Sequence, residues 1–184
     1  MKSFTSILSV IIICVVFSGC PYESTVPIDN PIVKINPSML GSWVNKDKPN
    51  ETYTVTKQDE FTLNIESSDK KSDQPEYSIG YLSVVNGITF INTYEKLSDS
   101  SKKKYSFYKI EMKGDDKINL STVTENITER FTSSVKLKNF ISGNLQNSYF
   151  YDKEKPVNYI SYFLNCVTSS RPQIRTFDLR FSLP

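Results

Sequence analysis

The sequence predicts an all-β, mainly antiparallel domain with one short helix, placed behind a cleaved secretory signal. Three observations carry that expectation. Apolar and polar residues alternate at period two through the middle of the chain, the rhythm of strands with one buried face. Short polar turns separate these runs, among them Asn86-Gly87, which suits a type I′ hairpin because both central residues need φ > 0. Only one stretch, around Val135 to Ser142, spaces its apolar residues as a helix does.

The elements follow in order. Lys2 gives a positive start, and Ile7 to Phe17 form an apolar run broken only by Ser9. That run is about half the ~20 residues a helix needs to cross a bilayer, so it reads as a signal-peptide core. Ser18-Gly19-Cys20 follows, two small residues and a cysteine after an apolar stretch. This arrangement resembles the lipobox of bacterial lipoproteins. The resemblance implies cleavage before Cys20, a diacylglyceryl group on its thiol, and further acylation of the new amine. Cys20 is thereby the expected lipidation site and the membrane the expected partner. Two or more acyl chains hold a protein stably where one does not. Pro21 rather than Asp follows the cysteine, which by the same resemblance favours the outer over the inner membrane of the cell envelope. Residues 20–36 carry Pro21, Pro27 and Pro31 among polar residues. Such a stretch disfavours helix and central strand, and it is expected to act as an extended tether.

The strands begin with Gly41-Ser42-Trp43. Tyr53 and Val55 then alternate with Thr52, Thr54 and Thr56, and Gln58-Asp59-Glu60 turns the chain into Phe61, Leu63 and Ile65. Tyr77 to Val85 and Ile88 to Tyr94 flank the Asn86-Gly87 turn. Tyr105 to Met112 and Lys117 to Thr124 flank Gly114-Asp115-Asp116. In the helix, Val135, Leu137, Phe140 and Ile141 make the apolar face, Ser133 or Ser134 suits the N-cap, and Gly143 suits a left-handed end. Asn147 to Tyr151 and Tyr159 to Val167 read as strands, and the alternation of Phe177, Leu179 and Phe181 as an edge strand.

Gly41-Ser42-Trp43 at the head of the first strand resembles the opening motif of lipocalins and lipocalin-like domains. Tyr77-x-x-x-Tyr81-Leu82, then Asn86-Gly87-x-x-Phe90-Ile91-Asn92, and the helix from Phe131 to Ile141 are similar to small lipocalin-like lipoproteins. The resemblance spans roughly residues 37–151. It implies an up-and-down barrel with Trp43 packed across its closed end. The expected organisation is therefore a signal at 1–19, a lipidated tether at 20–36, a lipocalin-like domain at 37–151, and an extension at 152–184 whose strands pack on the same domain.

Composition excludes much chemistry. The 184 residues contain no histidine, which removes His-based triads, imidazole acid–base catalysis and His-ligated metals. Of three cysteines, Cys14 leaves with the signal and Cys20 is lipidated, so Cys166 has no partner for an intramolecular disulfide. Cys166 lies in an apolar stretch and reads as a buried, inert thiol. The six glycines form no phosphate-binding loop. Without Lys2 the balance is 21 basic against 20 acidic residues, which gives no reason to expect nucleic acid as a partner. The basic run Ser98 to Lys104 reads as a solvated loop, with a patch facing anionic lipid as the other reading. Glu125, Glu129 and Arg130 fit a surface pair better than an acid–base site, and Asp115-Asp116 lacks calcium-loop spacing. Neither cofactor nor metal nor catalysis is expected.

The full sequence carries eleven tyrosines and eleven phenylalanines, Phe4 and Phe17 among them in the signal. A closed, hollow barrel would present Tyr53, Phe61, Leu63, Tyr81 and Phe90 inward as the lining of an apolar cavity. The expected function is then capture of a small apolar ligand, with Tyr53, Phe61, Tyr81 and Phe90 as binding residues. The alternative is a structural or interaction lipoprotein of the envelope with a filled core. Interior volume separates the two.

Overall fold

The computed structural model describes residues 21–161 except 71, 73, 97–102, 125 and 152–156. The predicted signal, Cys20, Cys166 and the alternation at 177–181 lie outside the described residues.

Eight strands close into an antiparallel up-and-down barrel. They are β2 (Gly41–Asn45), β3 (Glu51–Lys57), β4 (Thr62–Asp69), β5 (Glu76–Val85), β6 (Ile88–Glu95), β7 (Tyr105–Met112), β8 (Lys117–Thr122) and β9 (Val157–Ser161). Each pairs with its successor, and β9 pairs with both β8 and β2, so no barrel edge is left to recruit another chain. A two-residue strand β1 (Glu23–Ser24) lies against β7. The Asn86-Gly87 turn has φ of 49° and 79°, the left-handed pair its sequence predicts. At the β3–β4 turn the Asp59 carboxylate accepts the Phe61 and Thr62 N–H groups, each at 2.8 Å, and the Thr62 hydroxyl at 2.6 Å. The Thr62 hydroxyl leads the bonds that hold Asp59 below the usual carboxylate range.

Two cores follow from this layout. Inside the barrel, Trp43, Leu63, Leu82, Ile91, Ile110 and Ile118 pack with Ile35 and Met39. An eight-stranded barrel is just wide enough for its own side chains to fill. Gly80 helps: a Cβ there would lie 2.8 Å from Ile65 Cδ1 and 3.1 Å from Ile91 Cδ1. The second core lies on the outer wall, where Phe90 and Phe107 meet Tyr22, Ile28, Ile127, Leu137, Ile141 and Phe150. Its cover is the chain before β2 and helix α1 (Ser134–Asn144).

Both ends of the described chain pack on the barrel. Residues 21–36 are no free tether. Tyr22 and Ile28 are fully buried and Ile35 nearly so, because three apolar residues outweigh the polar composition around them. The segment leaves the β7 start, crosses the outer wall, and reaches the opposite end of the barrel, where the Ile35 N–H meets the Glu60 carbonyl. There a short 3₁₀ turn, Pro37–Met39, plugs the opening, and Gly41 at φ 127° swings the chain into β2. At the other terminus, β9 falls in the segment expected to add strands to the domain, and it closes the barrel between β8 and β2.

Smaller differences have local causes. Helix α1 runs past Gly143 to Asn144, and its cap Leu145 is right-handed, so Gly143 does not end it. Val135 is exposed, while Leu137 and Ile141 are the buried pair. Ser148–Phe150 forms a 3₁₀ turn in place of the expected strand, and Tyr151 makes only an isolated bridge to Val123.

Candidate functional site

Register assigns the inward positions, and their chemistry changes along the barrel axis. From the Trp43 end upward, Trp43, Val55, Leu63, Ile65, Ile91 and Ile110 are apolar. At the other end the same strand faces carry Glu51, Ser67, Glu76, Ser78, Thr93, Glu95 and Ser106, as the cross-strand pairs Ser67↔Glu76, Ser78↔Glu95 and Thr93↔Ser106 require. The barrel is thus apolar at its plugged end and polar at its mouth.

Three tyrosines mark the boundary. Tyr53 and Tyr159 face each other edge to ring at 5.2 Å and 89°. Tyr108 is paired with Ile91 on the inward face. Burial pushes all three phenols up, since an ionised oxygen here would lose its hydration. Asn45 sits nearby, buried, and its amide donates to Glu51 Oε2 at 2.9 Å.

Below the tyrosines the apolar interior leaves a void of only about 90 Å³, lined by Met39, Trp43, Leu63, Ile65 and Ile110 among others. A pocket for a drug-sized ligand holds about 300–1,000 Å³. At the mouth the space is larger and polar. A recess of about 850 Å³ runs from inward Ser78, Thr93, Ser106 and Tyr108 over the rim to Tyr77, Tyr94, Glu23 and Lys104. A second recess of about 180 Å³, lined by Glu51, Ser67 and Asp69, shares Glu76 with it. Rim charges of both signs are partly paired: Lys104 Nζ lies 2.7 Å from Glu23 Oε2, and Lys103 Nζ sits 4.5 Å from the centre of the Tyr94 ring.

The predicted ligand residues separate. Tyr53 and Leu63 point into the barrel and line the void. Phe61 is half-buried in the β3–β4 turn. Tyr81 and Phe90 lie on the outer wall, opposite in parity to inward Leu82 and Ile91, with which they alternate. Phe90 belongs to the outer core, and Tyr81 packs edge-on to Tyr105 at 6.5 Å. The reason is that both faces of the β5–β6 hairpin are covered, so period two in the sequence could not tell inside from outside. Tyr108, Tyr159, Glu76 and Glu95 were not singled out. Their signal was polar or tyrosine residues at the strand ends that share one end of the barrel.

Glu129 contributes its carbonyl, which accepts the Tyr22 hydroxyl at 2.8 Å, and the Arg130 guanidinium lies 5.5 Å from the Tyr22 ring centre. Glu125 is outside the described residues. Asp115 accepts the Ser38 hydroxyl at 2.8 Å and so ties the plug to the β7–β8 turn. Among the described residues no three His, Cys, Asp or Glu come together as a metal-binding group, and no helix is long and apolar enough to cross a membrane. No family model matches the sequence, and no curated protein or solved structure matches it either.

Proposed function

We propose that this chain is a lipoprotein of the cell envelope, held through lipid on Cys20 at the outer rather than the inner membrane, whose packed lipocalin-like barrel serves as a non-catalytic interaction module. Its working surface is the polar mouth. The observation that carries the reading is the contrast in volume: about 90 Å³ in the apolar interior against about 850 Å³ at the mouth. A carrier of a small apolar ligand needs the reverse distribution.

Titration with an apolar fluorescent probe tests the interior. The Cys20→Ser protein, produced without its leader, is expected to show no saturable binding. Stoichiometric, saturable binding would mean that the interior side chains open, and would restore the apolar-ligand reading. The anchor has its own test. Cys20→Ser in the full chain is expected to abolish labelling by a fatty-acid analogue and partition into detergent, because acylation supplies about 0.8 kcal/mol per buried methylene. A variant that still labels and partitions would end the lipoprotein assignment.

A further inference from the structure

We infer that the barrel stands mouth-down on the bilayer, with its polar recess opening directly onto the lipid headgroup layer. The inference rests on the proposed lipidation of Cys20 and adds an orientation to it.

The argument is one of slack. A lipoprotein domain on a flexible tether samples all orientations. Here the chain is locked from the first residue after the anchor. Pro21 bridges to Thr124 and lines the mouth recess. The Tyr22 N–H donates to the Val123 carbonyl at 2.8 Å, its hydroxyl donates to the Glu129 carbonyl at 2.8 Å, and its ring is 2 % exposed. Glu23 and Ser24 pair with Ser106 and Tyr105 at the start of β7, a strand end that belongs to the mouth. Ile28, on the outer wall, is fully buried. Pro21 itself lines the mouth recess, so acyl chains carried by the residue bonded to its nitrogen leave the protein at the rim. The plugged end, with the β3–β4 and β7–β8 turns, lies about 20 Å further out by strand rise and barrel tilt.

The rim suits such a surface. Lys96, Lys103 and Lys104 stand beside Glu23, Glu76 and Glu95, a mixture without strong repulsion toward zwitterionic lipid. Tyr77 is 53 % exposed at the same end, and Tyr94 lines the rim with it. Tyrosine, with an apolar ring and a polar hydroxyl, favours the headgroup level of a bilayer.

The test uses the mature lipoprotein in phosphatidylethanolamine vesicles that contain a headgroup-nitroxide lipid. In a Cys166→Ser background, a fluorophore is placed at the mouth by Gln74→Cys or at the plugged end by Gln58→Cys; both positions are exposed. The mouth label is expected to be strongly quenched, and the plugged-end label to behave as the vesicle-free protein does. A third protein carries a Gly-Ser insert of about 20 residues, roughly 25 Å in r.m.s. span, between Cys20 and Pro21. Its mouth label is expected to lose most of the quenching. Equal quenching at both ends, quenching at neither, or quenching unchanged by the insert would each overturn the orientation. Mass spectrometry of the N-terminal peptide separates the two claims: an acylated Cys20 with no end preference sinks the orientation alone, and an unmodified Cys20 sinks both.

Discussion

Trp43→Ala is expected to destabilise the domain by about 3–5 kcal/mol, the range for deleting a large aromatic from a core. Trp43 is 3 % exposed, and its indole N–H donates to the Met39 carbonyl at 2.9 Å. It thus performs two tasks. Its ring fills the apolar half of the barrel, and its N–H holds the 3₁₀ turn that plugs the end. The alanine variant loses both and leaves the Met39 carbonyl without that donor. The change also extends a void already present beside Leu63 and Ile110. Urea unfolding followed by circular dichroism measures the loss, since the only tryptophan is gone. A small aromatic such as benzene is expected to bind the variant and recover part of the stability, as dry apolar cavities of about 150 Å³ do. A near-neutral substitution would show that the plug and the barrel fill do not depend on this ring.

The parts of this fold legible in the sequence are those governed by local alternation. The six strands from Tyr53 to Thr122 and the Asn86-Gly87 hairpin follow from period two and turn chemistry, and Gly41-Ser42-Trp43 marked a strand whose tryptophan is indeed buried inside. What escaped depends on long-range cover. Tyr22, Ile28 and Ile35 have no common period, so nothing local announces that they bury against Phe107 or Met39. Closure by β9 needs a partner about a hundred residues earlier in the chain, which no pattern in Val157 to Ser161 reveals. The candidate site was half legible for the same reason. Tyr53 and Leu63 lie on strands whose outward partners are polar, and both line the interior. Tyr81 and Phe90 lie where the outer face is equally apolar, and only the cover by residues 22–28 and α1 explains that.

Asn92→Ala is the second change with a large expected effect, about 3 kcal/mol or more. Asn92 interrupts the apolar run Phe90-Ile91 and is fully buried on the outer wall. Each of its amide groups is in use. The Oδ1 accepts the Ile28 N–H at 3.0 Å, and the Nδ2 donates to the Ser83 hydroxyl at 2.8 Å and the Tyr81 carbonyl at 3.3 Å. A buried polar group stripped of its partner costs roughly 1–3 kcal/mol. Alanine strips the Ile28 N–H and takes the donor from both Ser83 and Tyr81. Ser83→Ala, which removes one hydroxyl and leaves the Ile28 bond intact, is expected to cost less, about 1 kcal/mol. Amide exchange distinguishes a local from a global role. In Asn92→Ala the Ile28 amide is expected to exchange far faster than the amides of β5 and β6, because the covering segment loses its central polar attachment while the barrel ladder persists. An Ile28 amide that stayed as protected as the strands would mean that apolar burial of Tyr22 and Ile28 alone holds the segment down. Asn92 would then serve the β5–β6 pairing and not the attachment of the chain that leads to the anchor.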